Sequence, residues 1–337
     1  MQTDEVHTRR RFGWAPRLLA VVAVALAACA LAACGSSAGS SSNAAQLLDQ
    51  TFSGTHVVRS GNLGLALTVQ PLGSSSIKGP ISFTMGGPFQ SRGAGKLPAS
   101  DFVITLSGIG RSGSLSLLST STQGYVTVQG TSYQLPQATF RRLESTFAQA
   151  ASSPGTSGSK SSSGALARLG LHPRNWLRNP TVVGTETVGG ASTTHIRAGV
   201  DVTALVNDLS TFLQRASSLG VSGTPGLSGG LPPATRDQIA AAIRNPIVDV
   251  WTGTADRTLR KLQIGLSVPI TGQLSSATGG ASSASIGFVV QYADLNQPQS
   301  IAAPTNVRPF SEFAPRLQSI LQSLEGAVPS AGRYSRS

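Results

Sequence analysis

Apolar and polar residues alternate one for one over four separate stretches of this chain. Leu63, Leu65, Leu67 and Val69 alternate with Asn62, Gly64, Ala66 and Thr68. Ile81, Phe83 and Met85 alternate with Ser82 and Thr84. Phe102, Ile104 and Leu106 alternate with Val103, Thr105 and Ser107, and Leu115 and Leu117 with Ser114 and Ser116. Successive strand side chains point to opposite faces, so this period of two demands an antiparallel sheet with one apolar face. It excludes a coiled coil. Charged residues make up only 12% of the chain, against about a quarter in an ordinary soluble domain, so the surface must be built from Ser, Thr, Gly and Gln.

The rest of the chain extends this pattern. Tyr125 to Leu135 reads as a hairpin turning at Gln129-Gly130-Thr131. Thr181–Val188 and Thr193–Val200 read as a second hairpin about Gly189-Gly190. Ile247–Thr252, Thr258–Val268 and Ile286–Ala293 read as further strands. Helical spacing marks Ala44–Phe52, Gln137–Ala150 (Phe140, Leu143 and Phe147 on one side), Thr203–Ala216 (Leu205, Leu209, Phe212 and Leu213), Ala234–Arg244 and Phe310–Leu324. Three stretches of Gly, Ser and Pro, at 151–164, 217–233 and 271–285, interrupt the pattern as loops. Many strands and few helices predict an α+β fold: a single curved antiparallel sheet, a half-barrel, with helices packed on its concave face. The expected organisation is a signal at 1–33, a tether at 34–43, one domain at 44–327 and a disordered tail at 328–337.

The N-terminus carries an address. Arg9, Arg10, Arg11 and Arg17 precede the uncharged run Leu18–Ala33, the charge order of an export signal. That run is shorter than the roughly 20 residues a spanning helix needs. Leu31-Ala32-Ala33-Cys34-Gly35 then matches a bacterial lipobox. Small residues fit the signal peptidase, and the Cys34 thiol accepts a diacylglyceryl group. Leu26-Ala27-Ala28-Cys29 is a second match, but only Cys34 is followed by a polar Gly-Ser-Ser tether. Acyl chains on Cys34 would hold the protein to the outer face of the cytoplasmic membrane, since each buried CH2 contributes about 0.8 kcal/mol.

Beyond residue 33 the chain has 22 basic and 12 acidic residues, a net of +10. That charge suits an anionic membrane or wall surface. Nucleic acid is disfavoured, because the basic residues are scattered and lack interleaved aromatics. Two motifs resemble catalytic ones by letter. Gly108-Ile109-Gly110-Arg111-Ser112-Gly113 is followed by a strand pattern, whereas a dinucleotide loop needs a helix there, so it reads as a hairpin turn. Gly226-Leu227-Ser228-Gly229-Gly230 lies in a Gly/Pro/Ser loop without the strand-to-helix turn of a nucleophile elbow. The twelve acids are dispersed, His195 reads as a sheet-face residue and Asp249 as a solvent-side strand residue, and no His pair or free thiol suggests a metal. The expectation is therefore no catalytic site, no metal and no cofactor.

Several stretches in order resemble the LppX/LprG group of actinobacterial lipoproteins. These are Tyr125–Tyr133, Val183–Gly190 with Thr194-His195-Ile196, Val200-Asp201, Asp249-Val250-Trp251 with Arg260-Lys261-Leu262, and Phe288–Pro304. The resemblance implies a half-barrel wrapped round helices, with an apolar cavity that takes acylated lipids or glycolipids. A 16-carbon tail costs about 12 kcal/mol to expose to water, so a carrier must shield it. Leu65, Leu67, Phe83, Ile104, Leu106 and Val126 on the sheet, facing Phe140, Leu209 and Phe212, are the expected cavity lining. The chain then reads as a membrane-anchored lipoprotein that carries or presents such lipids across the envelope, with an envelope transport protein as a further partner. The alternatives are an envelope sensor or assembly module that binds a protein through its sheet, and a hydrolase using Ser228.

Overall fold

The computed structural model describes residues 37–53, 56–93, 96–108, 110–152, 170–218, 231–270, 275–276 and 278–316. Cys29, Cys34, Ser228 and the expected tail lie outside them. Twelve strands form one open sheet in the order β12-β6-β5-β4-β3-β2-β1-β11-β10-β9-β8-β7. They are β1 (Ser60–Leu72), β2 (Ile81–Gln90), β3 (Ala99–Gly108), β4 (Arg111–Ser119), β5 (Gly124–Val128), β6 (Thr131–Gln134), β7 (Leu177–Val188), β8 (Ala191–Val200), β9 (Arg244–Gly253), β10 (Leu259–Pro269), β11 (Ser283–Ala293) and β12 (Val307–Pro309). The helices are α1 (Ser37–Phe52), α2 (Gln137–Ser152), α3 (Pro173–Trp176), α4 (Val202–Ser218) and α5 (Pro233–Ala242).

Two meanders, β1 to β6 and β7 to β11, are joined by one long-range antiparallel pairing, from Asn62 opposite Ala293 to Leu72 opposite Ser283. Tight turns fix the register within each meander. Gln129 and Gly130 both have positive φ, as do Gly189 and Gly190. Two successive left-handed residues turn the chain with the twist of the flanking strands, which is why Gly recurs there. The Gly108 to Gly113 motif joins β3 to β4, with Gly108 opposite Arg111, and no helix follows it. The sheet is mixed where a purely antiparallel one was expected: β12 runs parallel to β6. Three residues, Val307-Arg308-Pro309, carry no periodicity that could announce such a strand.

Helix α1 begins at Ser37, so helix runs through most of the segment expected as a tether. Ser and Ala tolerate helix, and a turn already seated by tertiary packing propagates at little cost. That seat is Ala44, Leu47 and Leu48, buried against Trp176, Ile196, Val248, Val250, Leu262 and Val290. Thr51 Oγ1 adds a 2.7 Å bond to Thr252 Oγ1. At the other end of the sheet α2 sits on β5. A Cβ added to Gly124 would lie 2.9 Å from the Phe140 ring, so only glycine leaves room for it. Of the helix expected over Phe310–Leu324, the described residues show a 3-10 turn at Phe310–Glu312 and a helical turn over 313–316, and 317–324 lie outside them.

Candidate functional site

Strand register sorts the apolar residues by face. Leu67 is opposite Phe83, and Phe83 is opposite Leu106. Leu65 is opposite Met85, Met85 opposite Ile104, Ile104 opposite Leu115, and Leu115 opposite Val128. Phe102, Leu117, Val126 and Tyr133 form a third row. The same rows run the other way into Val290, Leu262, Val250 and Ile196. All these side chains therefore share one face, the face that bears α1 and α2, called here the inner face. Directly opposed side chains lie about 5 Å apart, so the rows form one continuous apolar surface.

That surface is not covered evenly. Under α1, Leu262 is 1% exposed and Ile196 0%. Across β1 to β4, Leu67 is 37% exposed, Leu106 59% and Leu117 40%. A Cβ built on Gly113, opposite Leu106, meets no atom within 4 Å. The inner face is thus an open apolar patch between two helix-covered ends. Of the residues proposed as a lining, Leu65, Leu67, Phe83, Ile104, Leu106 and Val126 lie on this face, and Phe140 is buried at its α2 end. Leu65 packs partly against the α1 core, and Val126 is buried.

Leu209 is elsewhere. It is 42% exposed, because the buried stripe of α4 runs through Val206 and Ser210. Ser210 turns inward because its hydroxyl accepts a 2.9 Å bond from the Leu231 backbone N–H ahead of α5. The hydrophobic spacing alone could not reveal that rotation. The Phe212 side chain lies outside the described residues.

Next to Phe140 a groove of about 610 Å3 opens between α2 and the loops before β3 and after β4. Lys96, Ser121, Thr122, Gln137, Arg141 and Glu144 line it with Phe140. Lys96 Nζ lies 3.5 Å from a Glu144 carboxylate oxygen. Sequence reasoning did not single out these residues, since nothing in their spacing joins residue 96 to residue 141.

The opposite face carries a polar cluster. His195, expected on a sheet face, is buried, and so is Asp249, whose expected place was the solvent side of its strand: its carboxylate is drawn under His195 and Arg197. His195 Nε2 lies 2.8 Å from Asp249 Oδ1, and Nδ1 lies 2.9 Å from Glu186 Oε1. Arg197 Nε donates to the same Asp249 oxygen at 2.8 Å, and Trp251 Nε1 donates to Glu186 Oε2 at 3.0 Å. The His195 ring stacks on Trp251 at 4.3 Å, and Lys261 Nζ lies over the same indole. Acids far apart in sequence meet because β7, β8 and β9 are neighbours. Both ring nitrogens of His195 face carboxylates of the cluster, so neither points at space where a substrate could sit. The cluster ties three strands together. Among the described residues, no group of three or more His, Cys, Asp or Glu could hold a metal ion.

The hydrogen bond from Trp251, with His195 and Lys261 nearby, holds the Glu186 carboxyl below its ordinary value. A depressed carboxyl stabilises the fold above its unfolded value of about 4.3, and the contribution fades as pH falls through the folded value. Trp251→Phe keeps the ring stack and removes the N–H. Glu186 should then titrate at higher pH, and the acid limb of the unfolding curve should move up with it. Carboxyl NMR titration checks this, and an unchanged Glu186 titration would contradict it.

No family model and no curated protein matches the chain. Among solved structures, LprF from Mycobacterium bovis is similar at 13% identity and a TM-score of 0.36, over 78% of this chain and 97% of that one. The lipoprotein LppX from Mycobacterium tuberculosis is similar at 12% identity and a TM-score of 0.34, over 77% and 98%. MucB of Pseudomonas aeruginosa, in complex with MucA, is similar at 11% identity and 0.25, over 78% and 62%. At such TM-scores the likeness decides neither family nor ligand.

Proposed function

We propose that the chain is an envelope lipoprotein that holds the acyl tails of a lipid or glycolipid on the inner face of β1 to β4, and carries or presents that lipid. The observation that carries this reading is the exposure of Leu67, Leu106 and Leu117 on the same face whose continuation is sealed under α1. Leaving a leucine side chain in water forgoes about 1.5–3 kcal/mol of burial, and contiguous exposed apolar patches mark binding surfaces. Acyl chains match such a surface, because they need area and no directed polar contact. The rows named above offer Leu, Phe, Met and Ile and no charge, and Arg111, opposite Gly108, puts a cation at the end of this face. Acylation at Cys34 would place the sheet near a bilayer. Among the described residues no helix is long and apolar enough to cross a membrane; the attachment proposed is by acyl chains on Cys34.

Two measurements test the reading. Solvent extraction of the purified full chain, followed by mass spectrometry, should return acylated lipid near one mole per mole. Gly113→Trp places a ring in open space above the face, so it should leave the melting temperature within a few degrees and reduce lipid recovery at least several-fold. A lipid-free wild type that captures a stoichiometric protein partner would favour the assembly-module reading instead. For the anchor, labelled palmitate should enter the wild type and fail to enter Cys34→Ala. Incorporation into that variant would move the anchor to Cys29.

A further inference from the structure

We infer that the groove beside Phe140 is a headgroup subsite that selects lipids with an anionic, phosphate-bearing head. The inference rests on the proposal that tails lie on the inner face. Three observations carry it. The first is position. Leu117, at the edge of the open patch, is two residues from Ser119 on the same strand face, a rise of about 7 Å. Ser119 is opposite Gly124, on which the Phe140 ring sits. Phe140 is thus shared by the apolar face and the groove, and a lipid lying on the face would bring its head to this point.

The second observation is charge. Two cations, Lys96 and Arg141, line the groove against one carboxylate, Glu144. Glu144 is matched by Lys96, while among the described residues no carboxylate pairs with Arg141. An unmatched guanidinium in a concave site is suited to bidentate bonds with a phosphate. The third is the rim. Ser121 has φ of 79°, a conformation a serine rarely adopts. Its backbone N–H is turned to the Ser119 hydroxyl at 3.2 Å, and its own side chain lines the groove beside Thr122. That φ belongs to the turn from β4 to β5, which brings Ser121 and Thr122, two residues with hydroxyl donors, to the rim of the groove.

Native mass spectrometry of the detergent-released full chain tests this with equimolar phosphatidylglycerol and diacylglycerol, two lipids with the same tails. The wild type should favour phosphatidylglycerol by about tenfold, the scale of one good charge-assisted contact. Lys96→Glu with Arg141→Glu should abolish the preference while diacylglycerol binding persists, and Arg141→Lys should retain part of it. Both residues are on the surface, and an unchanged melting temperature checks the fold. Equal binding of the two lipids by the wild type, or an undiminished preference in the double variant, would overturn the headgroup inference alone. Binding of glycerol phosphate as tight as that of phosphatidylglycerol would make the groove a plain anion site and would overturn it too. Failure of the wild type to bind either lipid would instead overturn the underlying proposal.

Discussion

The backbone pairing of β1 with β11 is the seam on which the molecule depends. It joins strands more than 200 residues apart and sets the register of each meander against the other. Because side chains alternate with period two, a slip of one residue at this seam would turn the apolar rows of one half to the opposite face from those of the other. With Leu65 opposite Val290 and Leu67 opposite Phe288, a single apolar surface instead runs from Ile196 on β8 to Val128 on β5. The helices then decide how much of that surface meets water.

They decide it unequally. Helix α1 uses Ala44, Leu47 and Leu48 to close the half built from β8 to β11, where the deeply buried core lies. Helix α2 closes only the far end, through Phe140 over Gly124. Between them the leucines of β1, β3 and β4 keep one side in solvent. A well-packed α+β domain would spend a helix there. The outer face is stitched by side chains instead, with His195 held between Glu186 and Asp249 and stacked on Trp251. That cluster clamps β7, β8 and β9 from behind, so the sealed half has support on both faces and the open half can stay free of cover.

Much of this was legible in the sequence, for reasons that can be named. Strict alternation revealed the strands and placed Leu65, Leu67, Phe83, Ile104, Leu106 and Val126 on common rows, because a period of two has one solution once a neighbour is paired. The positive-φ demands of Gln129-Gly130 and Gly189-Gly190 marked both hairpins. What was not legible depends on contacts distant in sequence. Spacing points Leu209 inward, yet it is exposed, and the buried stripe of α4 passes through Val206 and Ser210, whose hydroxyl accepts from the Leu231 backbone N–H. The groove of Lys96 and Arg141 and the cluster around His195 arise from strand order, which no local pattern encodes. The short parallel β12 has too few residues to show any period.

The central claim is that the exposed leucines of β1 to β4 contact acyl chains. The most direct test places a photoreactive benzoylphenylalanine at position 106 of the full chain, irradiates cells and weighs the products. Adducts with the masses of intact acylated lipids, absent when the same group stands at the exposed position 183 on edge strand β7, are the predicted result. Adducts to a polypeptide at position 106, with no lipid mass at all, would contradict it.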